Sequence, residues 1–147
     1  MQHLVRFTVA ISFLVTAVVA AEPDPKIPPI LELKGLMTKP AVFTAAKRGK
    51  PIEVRSTDDA KPLFTTKALN TLGERVDFDQ QIVLVFAWRG SGQDRLKYDV
   101  AESFPEQVTF RLIPGRTRDL RPHVHVFALR SNVQWSVAGA QRNAAGR

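Results

Sequence analysis

QIVLVFAW, residues 81–88, is the most apolar β-type run in the chain. Side chains alternate between the two faces of a strand, and here the residues pointing either way are apolar. Such a strand needs cover on both sides, whereas a half-exposed strand would alternate apolar with polar. Downstream, Val124–Leu129 repeats the two-sided pattern. Leu96, Tyr98 and Val100 alternate with charged neighbours, as do Val108, Phe110 and Leu112, and then Val133, Trp135 and Val137. Arg130-Ser131-Asn132 reads as a tight hairpin turn between the last two runs. Upstream, Ile52-Glu53-Val54 reads as a short strand. Ser56–Asp59 offers caps for a helix, Pro62 suits the first turn of one, and Thr65 or Thr66 can cap a second helix. Leu63, Phe64, Leu69 and Leu72 lie at helical spacing, with Gly73 placed to end the helix. The expected fold is α+β: a mostly antiparallel sheet of about five strands with one helical segment packed on it. An all-β sandwich or half-barrel is the alternative. Val83, Val85, Phe110, Val126 and Phe127 are the expected core.

Working outward, the chain has 147 residues, about one domain, and 44% of them are hydrophobic, too many for a fully disordered chain. Cysteine is absent, which excludes disulfides, thiol nucleophiles and Cys-ligated metal. Met1–Arg6 ends in a positive charge, Phe7–Val19 is almost unbroken apolar sequence, and Val18-Val19-Ala20 supplies small residues. That order marks 1–20 as a secretory signal peptide. The apolar run spans only about 20 Å as a helix, short of the bilayer core, so no membrane span is expected after cleavage. The implied address is exported, periplasmic or secreted. Residues 21–50 hold Pro23, Pro25, Pro28, Pro29 and Pro40 and read as a Pro-rich tether. Its apolar cluster Ile30, Leu31, Leu33, Leu36 and Met37 offers a strand or turn that can dock on the domain. The domain proper is expected over 51–137, and 138–147 as a disordered tail.

Val76-Asp77-Phe78-Asp79, then IVLVFAW, then Gly90-Ser91-Gly92 and Asp94, resembles small secreted bacterial proteins that carry no assigned function. The stretch VDFDQQIVLVFAWRGSGQD is also distantly similar to a β-rich domain of protease-complex-associated proteins. The likeness covers roughly 76–137 and implies no catalytic residues.

Net charge is +7, and the basic residues concentrate in loops. Arg116, Arg118 and Arg121 surround Asp119 in one of them, after Arg111. Arginine forks suit phosphate, sulfate and carboxylate, and Asp119 can neutralise at most one. The plain alternative is a solvated loop. Aromatics are absent from the run, so nucleic acid is not the expected partner. Arg89-Gly90-Ser91-Gly92 can turn its backbone N–H groups toward an anion, with Arg89 assisting. The alternative is a hairpin loop closed by Asp94. A phosphate loop is excluded, because no Lys-Ser/Thr follows the glycines. His123 and His125 sit at alternate positions of a strand, so both imidazoles can reach one metal ion, with Asp119, Asp99 or Glu102 as third ligand. Ser91 with either histidine and Asp94 makes a hydrolase set, but the glycine–serine order lacks the nucleophile-elbow form. Asp58-Asp59 and Asp77/Asp79 read as helix-start and turn residues.

The expected function is that of a small exported, non-catalytic binding domain. Its basic loop, through Arg116, Arg118 and Arg121, together with Arg89 and Ser91 of the glycine loop, would contact an anionic envelope polymer or an acidic protein patch. The alternative is a metal-binding protein or metal-dependent hydrolase using His123 and His125. No cofactor is implied. Mass spectrometry of the exported protein should find a chain beginning at Ala21; retention of Met1–Ala20 would overturn the signal-peptide reading.

Overall fold

The computed structural model describes residues 27–139. The expected signal peptide and all but the start of the expected tail lie outside the described residues. The element order is β1 (Ile30–Glu32), α1 (Val42–Ala45), β2 (Ile52–Val54), α2 (Thr57–Ala60), α3 (Thr66–Arg75), β3 (Gln81–Ser91), β4 (Arg95–Ala101), β5 (Gln107–Ile113), β6 (Leu120–Arg130) and β7 (Gln134–Val137). The fold is α+β and mostly antiparallel, as the sequence implies, but the strands divide between two sheets. One has the order β1-β6-β3-β2 and the other β4-β5-β7.

Two-sided burial of β3 and β6 organises these layers. The strands pair antiparallel along their whole length, from Gln81 opposite Arg130 to Ser91 opposite Leu120. Val83, Val85 and Ala87, with Val126 and Ala128, face a core shared with Leu63, Phe64, Ala68 and Leu72 of the helical segment. Ile82, Leu84, Phe86 and Trp88, with Phe127 and Leu129, face a second core shared with Val108 and Phe110 of the three-stranded sheet. There the Phe86 and Phe110 ring centroids lie 4.8 Å apart, and those of Phe110 and Phe127 5.1 Å apart. All five residues expected in the core are buried.

The helical segment is two helices. The Ser56 side chain accepts from the Asp59 N–H at the start of α2, and the Thr65 side chain from the Ala68 N–H at the start of α3. Both satisfy donors that a helix start leaves orphaned. Gly73 does not end α3, which runs on to Arg75. Asp77 accepts from the Asp79 N–H in the turn before β3, the local role its position implies.

Three connections differ from expectation. β4 pairs with β5 and not with β3, so residues 91–94 form a corner between sheets rather than a hairpin loop. Arg130-Ser131-Asn132 does turn the chain, but β7 lies parallel to β5 in the other sheet instead of returning along β6. A turn sequence sets a local reversal; the strand that follows pairs where its apolar face finds cover. Within the Pro-rich stretch, Ile30–Glu32 forms an edge strand on β6, and Leu33 and Val42 are buried. The ordered fold therefore begins well before Pro51, as the docking alternative implied.

Truncating Phe110 or Phe127 to Ala should cost about 3–5 kcal/mol, because each ring is fully buried among close-packed neighbours. Denaturant unfolding measures this; a loss below about 1 kcal/mol would show that the second core does not carry the fold.

Candidate functional site

β3 stays in the ladder for three residues past Trp88, with Arg89 opposite Pro122, Gly90 opposite Arg121 and Ser91 opposite Leu120. The chain then turns, the Asp94 N–H donating to the Ser91 carbonyl at 2.9 Å. Asp94 points inward and its side chain is fully buried. One carboxylate oxygen accepts from the Trp88 indole N–H at 2.9 Å and from the Arg48 guanidinium at 2.9 Å. The other accepts from the Gly115 N–H at 2.7 Å. Three segments distant in sequence are thereby tied together. A Cβ on Gly90 would collide with this carboxylate, and one on Gly115 with the Ser91 side chain and the Gln93 backbone. These glycines are set by space, since neither has a positive φ.

Burial is the largest single influence on Asp94 and pushes its carboxyl up. The Gly115 N–H, the Trp88 indole, Arg48 and His123 together outweigh it and hold the group below the usual carboxylate range. Asp119 is the second carboxylate at this end. The Thr117 hydroxyl, the Gly92 N–H at 3.0 Å and Arg121 at 2.6 Å pull it down to about 2, against a smaller opposing push from burial. Ser91 Oγ accepts from the N–H groups of Gln93 and Thr117 and lies 2.5 Å from Thr117 Oγ1.

These bonds occupy the groups expected to hold an external anion. The Gly92 N–H is taken by Asp119 and the Gln93 N–H by Ser91, so the glycine loop binds the protein's own side chains. Ser91 is tied into the same turn. The hydrolase set is not assembled: His123 Nε2 meets the Ser91 backbone carbonyl at 2.8 Å, and Asp94 bonds Trp88 and Gly115.

The cations are placed differently. Arg116 and Arg118 are exposed and have no ion pair among the described residues. Arg89 is exposed, its guanidinium 5.1 Å from the centre of the Phe43 ring. Arg121 is paired with Asp119, the one neutralisation its neighbour allows. Lys47, Lys50 and Arg95 lie in adjoining segments and are exposed. Asp94 and Asp119 are the acids of the stretches 43–50, 89–95 and 111–121, and both are spent on internal bonds. Asp77, Asp79, Glu102 and Glu106 fall instead at the opposite ends of the strands. The molecule thus has a basic pole.

His123 and His125 share a face of β6, as their spacing dictates, opposite Trp88 and Phe86. The Trp88 indole stacks on both imidazoles, with centroids at 4.9 and 5.5 Å. His125 Nδ1 is 4.0 Å from Glu32 Oε1. Burial pushes its pKa down, Glu32 pushes it up and His123 adds a further downward push. Of the expected third ligands, Asp119 is bonded to Gly92 and Arg121, and Asp99 to Arg111. Among the described residues, no group of three His, Cys, Asp or Glu side chains is placed to hold a metal ion.

Sequence reasoning missed Arg48 and Thr117: Arg48 acquires its role through Asp94, and Thr117 through Ser91 as well as through its near neighbour Asp119. Compared with protein-family models, curated proteins and solved structures, the chain finds no match.

Asp94→Ala should destabilise the protein by about 2–4 kcal/mol, because it orphans the buried Trp88 and Gly115 donors. Acid should act on the same bonds. Both carboxyls have lower pKa values folded than unfolded, so their stabilisation is present above the unfolded carboxylate range of about 4 and is lost as pH falls below it, that of Asp119 through about 2. Melting temperature followed across that window should drop, and less steeply in Asp94→Asn. A flat profile would contradict the assignment.

Proposed function

We propose that the protein is a small exported, non-catalytic binding domain that docks through its basic pole on an anionic polymer of the cell envelope. Arg89, Arg116 and Arg118 are the contacts. The observation that carries this reading is the division of labour at the pole: both acids are consumed internally, while Arg116 and Arg118 are exposed and have no ion pair among the described residues. Exposed arginine forks recognise phosphate, sulfate or carboxylate oxygens two at a time, and several on one rigid end add their contributions. The rigid end is supplied by the Asp94 and Asp119 bonds, which limit the ordering entropy lost when the loop binds. The secretory signal expected at 1–20 supports an envelope partner over an intracellular one.

Binding to long-chain polyphosphate and to polyglutamate, followed between about 50 and 200 mM salt, tests this reading. Affinity should fall steeply with salt, because bound counterions are released on association. The combined Arg89→Gln, Arg116→Gln, Arg118→Gln variant should bind at least about tenfold more weakly, with a melting temperature within about 4 °C of the parent, since exposed charges contribute little to stability. Unchanged binding by the triple variant would overturn the proposal.

A further inference from the structure

The second sheet ends in an unguarded edge. β4 is its outer strand, and among the described residues no strand lies on its far side. It pairs with β5 in unbroken register from Arg95 opposite Ile113 to Ala101 opposite Gln107, without a bulge. At seven residues it is longer than the edge strands β1 and β2, three residues each, and β7, four. Such a row of open N–H and C=O groups is a template for another strand. Its inward side chains also reach the rim: Tyr98 packs against Phe110 and Phe127, yet Tyr98 and Val100 each remain 39% exposed. Beside them lies an open cleft of about 410 Å³, lined by Glu32, Leu96, Tyr98 and Phe127 among others.

The charges on this strand indicate what fits it. Lys97 sits directly opposite Arg111, a like-charge pair, and has no ion pair among the described residues. Like charges directly opposite each other are destabilising unless an acid joins them. Asp99, on the same outward face, bonds Arg111 at 3.3 Å and not Lys97. We infer that β4 pairs antiparallel with β4 of a second copy of this chain, about a two-fold axis through Tyr98. In that register Lys97 of each copy meets Asp99 of the other, Leu96 meets Val100, and the two Tyr98 rings meet at the axis. Sliding the copies by one step each way puts Lys97 against Lys97 or Asp99 against Asp99. A shift of odd sum sets inward residues against outward ones. One register therefore satisfies charge, apolar pairing and facing together, and the contact closes as an isologous dimer. The result is a continuous sheet in the order β7-β5-β4-β4-β5-β7, with the two basic poles at opposite ends. This surface shares only Arg95, at its first residue, with the basic pole and does not depend on the polymer-binding proposal.

The contact is one strand edge, so a weak and reversible dimer is expected. Sedimentation of the folded protein from about 1 μM to about 1 mM should show a concentration-dependent shift from monomer to dimer. Lys97→Glu and Asp99→Lys should each remain monomeric at least about tenfold higher in concentration, because each sets like charges across the axis. Mixed together, the two variants should pair, since one then carries two acids and the other two lysines at the facing positions. The double exchange in one chain should restore self-association. Circular dichroism confirms that each variant is folded before it is scored. Wild-type protein that stays monomeric to about 1 mM overturns the inference, as do single variants that associate like the parent or a mixture that does not pair.

Discussion

A pair of eleven-residue strands, apolar on both faces over 82–88 and 124–129, must be covered twice. Everything else in this protein answers that constraint. The short helices are too few to enclose β3 and β6, so they cover one face, and the chain supplies the other cover from β4, β5 and β7. Because β3 and β6 lie next to each other in one sheet while the strands between and after them lie in the other, the chain changes sheet after β3, after β5 and after β6. The expected single sheet and its sandwich alternative are in effect superposed: one sheet carries helices on its outer face, and a second sheet packs on its inner face.

The sheet changes at one end also explain the chemistry there. A chain that leaves one sheet and enters another brings its corners close together, and corners expose backbone donors. Asp94 and Asp119 satisfy those donors from within, and Gly90, Gly92 and Gly115 leave room for the carboxylates and for Ser91. Placed for this internal work, the two acids pair with Arg121 and Arg48 and leave Arg89, Arg116 and Arg118 without an ion pair among the described residues. A basic pole is thus a consequence of how the corners are held.

The edge of the second sheet reflects the same economy of strands. Three strands suffice to cover the aromatic core of Phe86, Phe110 and Phe127, but they leave β4 with an open side and Tyr98 only half covered. On the other sheet the edge strands are short, and the Pro-rich stretch supplies one of them at Ile30–Glu32.

Which faces are buried, and how helices and turns begin, is written in the residue pattern. The near-continuous apolar runs at 81–88 and 124–129 named the two-sided strands; Ser56 and Thr65 announced their caps, Asp77 its turn, and Asp119 its single arginine partner. These are local properties, written within a few residues by side-chain period and hydrogen-bonding reach. Which strands are neighbours is set by packing, because an apolar face specifies that it needs cover and not which segment provides it. Thus β7 follows a turn that looks like a hairpin yet pairs with β5. Asp94 looked like a loop-closing residue, yet it joins Arg48, Trp88 and Gly115. The glycine loop looked like an anion nest, yet it holds Asp119. Each of these depends on distances between segments far apart in the chain, which close packing settles and residue spacing does not.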